Sequence, residues 1–440
     1  MKMRMLFILF LVMSILITAC DQTAITPKGE DKLSEQKKVE LSKNKVEIEF
    51  WSHYTGWDDI IAEFEKKYPN VNVNTRTFSF DSYVETYEMA IANGSAPDVM
   101  IADSKDFGRF AAISGLENLL AHGAEKYRKD FSSSLWDINL SFDKKSLVGF
   151  PSGSSPYITY YRADLMEQYG FPSDPEELGK YMEDPENWLK IARALKKDDR
   201  YIANWLMDIV QIYDTTAPVF NENMKFARRN ESFIDALELA STIYNEGLTS
   251  STDTWTAAGG EALKNGKIAM LYMGTWGANE LQSWAPNTTG KWRQTRLPFN
   301  LNGWVNSSSF MIPTSSEEKK WAFAFIEYCV TEYSMKGKGN SVPSYLPARE
   351  SEQRVASGVK FFGGQDLFAM SETLAEQMKE TRLTPIDEEA KAIWTRVINE
   401  GVERNKSADL ILVEAEKQIY STLGKEIEIL SEYLYENKTK

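Results

Sequence analysis

Residues 46–101 read VEIEFWSHYTGWDDIIAEFEKKYPNVNVNTRTFSFDSYVETYEMAIANGSAPDVMI, and this stretch decides the fold class. Val46, Ile48 and Phe50 alternate with Glu47 and Glu49, the period-two pattern of a half-buried strand. Ile60, Ile61, Phe64 and Tyr68 then recur at helical spacing, and Pro69-Asn70 ends that helix. Val71-Asn72-Val73 restores alternation, Tyr83–Ala92 is a second helix closed by Asn93-Gly94, and Pro97–Ile101 is a third strand. Strand–helix–strand–helix–strand in so short a span predicts a doubly wound parallel sheet. In open α/β sheets, ligands sit outside the carboxyl ends of the strands. Those ends are Trp51-Ser52-His53-Tyr54, Phe78-Ser79-Phe80-Asp81 and Asp103-Ser104.

Upstream, the character changes. Lys2 and Arg4 precede an apolar run from Leu6 to Ile17, the length of a signal-peptide core and short for a membrane span. The run stops at Ile17-Thr18-Ala19-Cys20, which resembles the bacterial lipoprotein signal, where the cysteine becomes the lipidated mature N-terminus. Residues 1–19 are therefore expected to be a signal peptide. Residues 20–44 are expected to be the lipidated Cys20 and a disordered tether, since residues 21–44 contain no aromatic side chain. Two or more acyl chains give a firm anchor, at about 0.8 kcal/mol per buried CH₂.

Composition excludes several classes. The 440 residues carry 50 Lys and Arg against 64 Asp and Glu, a net charge of −14, so nucleic acid is not expected as a partner. Two cysteines and two histidines rule out a disulfide scaffold and a Cys/His zinc cluster, and no metal or cofactor is expected. Cys329 lies in an apolar helical run and reads as a buried small hydrophobe. Trp188, Trp321 and Trp394 sit among apolar neighbours and read as core. Ile411, Ala415, Ile419 and Leu423 mark the packed face of a C-terminal helix.

Beyond residue 150, a Gly/Ser/Pro-rich break at 152–156 leads into a β-rich run, a plausible crossing between lobes. Five strings, in order, then carry a resemblance: GSAPDVMIADS (94–104), GFPSGSSPYITYYRADL (149–165), ALKNGKIAMLYMGTWGANEL (262–281), WVNSSSFMIPTSSEEKKWAFAFIEYCV (304–330) and SVPSYLPARES (341–351). Together with the lipoprotein start, they resemble the family 1 extracellular solute-binding proteins, the carbohydrate-binding lipoproteins of ABC importers. The resemblance implies an α/β, two-lobed periplasmic-binding-protein-like fold of type II, each lobe a sheet flanked by helices, joined by two or three crossing segments. Lobe 1 is expected over 45–154 and 303–341, and lobe 2 over 155–302 and 342–440. It further implies a monomer anchored on the outer face of the cell membrane. A sugar or oligosaccharide would bind between the lobes, a hinge would close over it, and an ABC permease would receive it. Two places depart from the family pattern: Asp103, where many members have an aromatic residue, and the hydroxyl-rich run Asn306–Ser309.

A cleft that closes removes ligand from water, so ring faces and charge-assisted hydrogen bonds act in a drier place. The ligand-binding candidates are Trp51, His53, Asp81 and Asp103 from the first lobe, and Tyr157, Trp276, Trp304 and Tyr345 from the second lobe and the crossings. The rings would stack on sugars, and the two aspartates would hold hydroxyls. Trp205 and Trp255 are weaker candidates that read more readily as core. The competing readings are an exported glycoside hydrolase, the same fold holding a non-sugar ligand, and a surface sensor. No Gly-x-Ser-x-Gly, His-Glu-x-x-His or Walker pattern supports an enzyme.

Overall fold

Strand β1 (Val46–Ser52) buries Ile48 and Phe50 completely while Glu47 and Glu49 face solvent, as the alternation requires. This is seen in a computed structural model that describes residues 45–337, 341–351 and 358–438. The signal run, Cys20 and the expected tether lie outside the described residues. Helix α1 (Asp58–Lys67) follows and packs through Ile60 and Phe64. Next come β2 (Val71–Thr77), α2 (Tyr83–Asn93) and β3 (Val99–Asp103), the last buried along its whole length. Helix α2 ends at Gly94, whose φ of +68° favours glycine and turns its N–H back onto the carbonyls of Ala90 and Ile91. Helix α3 (Ser104–Ala112) starts directly on Asp103, whose side chain caps it.

The chain then forms β4 (Phe150–Pro156) and β5 (Ile158–Arg162), with only Tyr157 between them. A helical stretch follows, including α4 (Pro185–Lys196), α5 (Leu206–Asp214) and α6 (Glu231–Asn245). After β6 (Met270–Met273), α7 (Gly277–Trp284) and β7 (Trp292–Thr295), strand β8 (Trp304–Met311) leads to α8 (Lys319–Glu327). The remainder includes β9 (Val342–Pro343), α9 (Leu367–Gln377), α10 (Asp387–Glu403) and α11 (Ala408–Lys438).

Nine strands make two sheets among the described residues. The larger has the order β2-β1-β3-β8-β4-β9 and the smaller β6-β5-β7. The parallel expectation holds for β1 with β2 and with β3. It fails further on, because β8 enters from the other end and pairs antiparallel with both β3 and β4. The larger sheet is therefore mixed, and the smaller one is antiparallel throughout. Strand β9 pairs with β4, so Val342 and Pro343 lie in the larger sheet. Two routes connect the sheets here, β4 into β5 and β7 into β8. They are pinned to each other where the Tyr157 N–H donates to the Gly303 carbonyl at 2.8 Å.

The largest apolar cluster joins α4, α5 and α6 to α10 and α11. Trp188 and Trp394 are fully buried in it, and Ile411, Ala415, Ile419 and Leu423 form the packed face of α11. Trp321 and Cys329 are also buried, as their apolar neighbours suggest. No helix among the described residues is long and apolar enough to cross a membrane.

Candidate functional site

The ends of β1, β3 and β8 converge on Asp103. As the cap of α3, its Oδ1 accepts from the Lys105 N–H at 2.9 Å. Its Oδ2 accepts from the Tyr54 hydroxyl at 3.1 Å and from Asn306 Nδ2 at 2.8 Å. The carboxyl is 3% exposed, and burial raises its pKa despite these three donors. His53 lies beside it, 9% exposed, stacked on Tyr83 at 4.1 Å and packed on Tyr54 at 4.0 Å. Burial pushes its imidazole down to about 4, with Asp106 partly opposing, so the ring is neutral at physiological pH.

From Asp103 a polar chain crosses towards the smaller sheet. Asn306 pairs in register with Ser155 on β4. Ser155 Oγ accepts from the Thr275 N–H at 2.7 Å and lies 3.1 Å from Thr275 Oγ1. Gly274 makes this approach feasible: a Cβ there would come within 2.6 Å of both Ser155 Oγ and Trp276 Nε1. Trp276 follows immediately, half-buried, at the head of α7. Its ring lies 5.9 Å from Trp255, which in turn meets Trp284 edge-on at 4.8 Å and 81°.

Ser154, the neighbour of Ser155, turns to the other face of β4, as strand alternation demands, and points at Glu380. On that side Trp304 lines a cavity of about 390 Å³ with Ser104, Lys105, Gln211 and Lys391. Trp304 is 6% exposed, and its Nε1 has no hydrogen-bond partner among the described residues. Two carboxylates border the same cavity, and both are already engaged. Asp214 faces Arg228 Nη1 at 2.9 Å and accepts from Trp394 Nε1 at 3.1 Å. Asp387 accepts from the N–H and the hydroxyl of Thr384. Burial raises the pKa of both.

The eight sequence candidates thus separate. His53 and Asp103 come together, and the Asn306–Ser155–Thr275 chain links them to Trp276. Trp304 is nearby in the sheet but serves the cavity on the opposite side. Trp51 is a core residue, packed on Phe78 and Tyr87 with its Nε1 donating to Glu49. Tyr157 is 4% exposed inside the largest apolar cluster. Tyr345 packs on Tyr127 and Phe131, apart from the Trp276–Trp255–Trp284 rings. Asp81 is exposed in the turn before α2. Sequence reading did not select Tyr54, Ser155, Thr275 or Asn306, although the hydroxyl-rich runs at 152–155 and 306–309 carried the signal. It also ranked Trp255 as core, whereas the side chain is 63% exposed. No group of three or more His, Cys, Asp or Glu among the described residues is placed to hold a metal ion.

Comparison with known proteins agrees with this architecture. A lactose-binding protein from Rhizobium radiobacter is 24% identical over 333 residues, 69% of this chain and 75% of the relative. A crystal structure of an extracellular solute-binding protein of family 1 superposes with a TM-score of 0.74 at 19% identity, covering 88% of this chain and 100% of the other. An ABC transporter associated binding protein from B. animalis subsp. lactis, in complex with beta-1,6-galactobiose, superposes with a TM-score of 0.70 at 18% identity, covering 87% and 98%. These superpositions establish a periplasmic-binding-protein-like α/β fold, with sheets flanked by helices. The sequence pattern described as bacterial extracellular solute-binding protein matches residues 51–335. This chain belongs to the bacterial extracellular solute-binding protein family.

Proposed function

We propose that this chain is the substrate-binding lipoprotein of an ABC importer, capturing a sugar or oligosaccharide between two lobes and delivering it to a membrane permease. One observation carries the reading. The Trp276 and Trp255 rings adjoin a chain of amide, hydroxyl and carboxylate groups running Thr275–Ser155–Asn306–Asp103. Ring faces accept the C–H faces of pyranoses, while such polar groups exchange hydrogen bonds with hydroxyls. The lactose-binding relative and the galactobiose-bound structure support the sugar class.

In this reading the lobes are those expected above, 45–154 with 303–341 and 155–302 with 342–440, adjusted so that residues 155–156 and Val342–Pro343 stay with the larger sheet in lobe 1. Ligand favours the closed form by its differential affinity for it. Trp276 and Asn306 contact the ligand, His53 and Asp103 hold the floor in shape, and Trp304 lines the cavity on the other side of the sheet. Trp51, Tyr157 and Tyr345 support the walls, and Asp81 contributes from the mouth. The chain performs no catalysis. It works as a monomer, held on the outer face of the cell membrane by lipid on Cys20.

Thermal-shift and calorimetric titration against lactose, beta-1,6-galactobiose and malto-oligosaccharides tests the proposal. A saturable stabilisation with the glycan recovered intact is expected, about 2.7 kcal/mol at a hundredfold excess over Kd. Cleaved glycan would favour the hydrolase reading, and no response to any glycan would remove the sugar class. Membrane fractionation of wild type and Cys20→Ser tests the anchor: the variant should move to the soluble fraction.

A further inference from the structure

We infer that Trp255 is an outer stacking subsite, so that the ligand is an oligosaccharide longer than a disaccharide. The inference rests on the sugar-binding reading above and specifies its substrate class. Of the 12 tryptophans, only Trp205 and Trp255 are exposed, at 47% and 63%. A single exposed apolar side chain is ordinary. What distinguishes Trp255 is how it is held.

Its ring is braced edge-on by Trp284 and inclined at 35° to Trp276. Its N–H donates to Asp253 Oδ1 at 2.9 Å, and the next residue, Thr256, caps the following helix through Gly259 N–H. The preceding loop is stitched to the one bearing Trp205. Ser250 N–H donates to the Ala203 carbonyl, Ser251 N–H to the Asn204 carbonyl, and Ser250 Oγ to Asn204 Oδ1 at 2.7 Å. A ring fixed before binding loses little freedom when ligand arrives, which is how rigid aromatics contribute affinity.

Position supplies the second half of the argument. Thr275 meets the polar floor, Trp276 follows it, and Trp255 lies one ring further out. The 5.9 Å step between the Trp276 and Trp255 centroids is close to the repeat of one pyranose unit. A disaccharide that fills the floor and covers Trp276 ends short of Trp255. A further unit reaches it.

The test is calorimetric titration of wild type, Trp255→Ala and Trp255→Phe with β-1,6-galacto-oligosaccharides and malto-oligosaccharides of two to five units. In the series that binds, Trp255→Ala should weaken the longer ligands about 5–10-fold and leave the two-unit ligand unchanged. Trp255→Phe should retain most of the affinity. An equal loss at every length, or no loss at any, overturns the inference. Absence of binding by wild type to every glycan is a different result, because it removes the sugar reading itself irrespective of the variant.

Discussion

Asn306 Nδ2 donates to Asp103 Oδ2 at 2.8 Å, joining the end of a parallel strand to the antiparallel strand beside it. The same carboxylate caps α3 and accepts from Tyr54. Three of its roughly four acceptor sites are filled from within the protein, so Asp103 shapes the floor more than it offers oxygens to a ligand. Asp103→Ala should therefore destabilise the fold by about 2–4 kcal/mol, combining a lost cap with stranded buried donors. Urea denaturation measures it. A loss below about 0.5 kcal/mol together with abolished ligand binding would instead make Asp103 a direct ligand contact.

His53 makes stability pH-dependent. Its folded pKa is about 4, against about 6.5 in the unfolded chain. Between those values the unfolded state binds more protons, so stability is fully present above about pH 6.5 and is lost as pH falls towards 4. The contribution is about 3 kcal/mol. Half-buried Asp208, with a pKa raised to about 6 by desolvation, acts in the opposite direction over part of this window. The clean measurement is thus the difference between wild type and His53→Phe at pH 4.5 and pH 7. Identical pH profiles for the two proteins would refute the assignment.

Gly274→Ala should impair binding without unfolding the protein. The added methyl group would collide with Ser155 Oγ and the Trp276 indole, both 2.6 Å away. The floor and the stacking ring would be displaced together. Trp276→Ala should weaken glycan binding by about 1–3 kcal/mol, and Gly274→Ala should approach the same loss. Native affinity in both, with circular dichroism unchanged, would place Trp276 outside the binding surface.

Arg228 is 2% exposed and pairs with half-buried Asp214. Arg228→Ala removes the cation paired with that carboxylate, leaving only Lys391 and the Trp394 N–H to offset its charge, and should cost about 3 kcal/mol, the low end for a broken buried pair. The double variant Arg228→Met, Asp214→Leu should recover much of the loss, since neither charge then remains buried alone. Thermal unfolding of the single and double variants distinguishes this coupling from simple loss of packing against Trp394.

The sequence made local elements legible wherever one periodicity dominated. The alternation at Val46–Phe50 and the face Ile411–Leu423 were both read correctly, because burial on one side imposes the pattern. The direction of β8 was not legible, since strand alternation is the same for parallel and antiparallel pairing. At the site, Trp51 and Trp255 show the limit most directly. Both are tryptophans near strand or helix ends, yet one is 6% and the other 63% exposed. Only the neighbours supplied by distant segments decide which indole is sealed and which stays open. Ser155 and Asn306 were hidden for a related reason: their partners are 120 and 203 residues away.

The single residue between β4 and β5 has a mechanical consequence. The β4–β8 ladder runs unbroken up to Pro156 and Trp304 apart from local bulges, and Tyr157 is tied to Gly303. Along the β4–β5 route, any swivel of the small sheet against the large one must pass through the torsions of Tyr157. That residue is wedged among buried side chains, so twisting it disturbs a well-packed interior, and the movement should resemble the snap of a stiff spring more than a free swing.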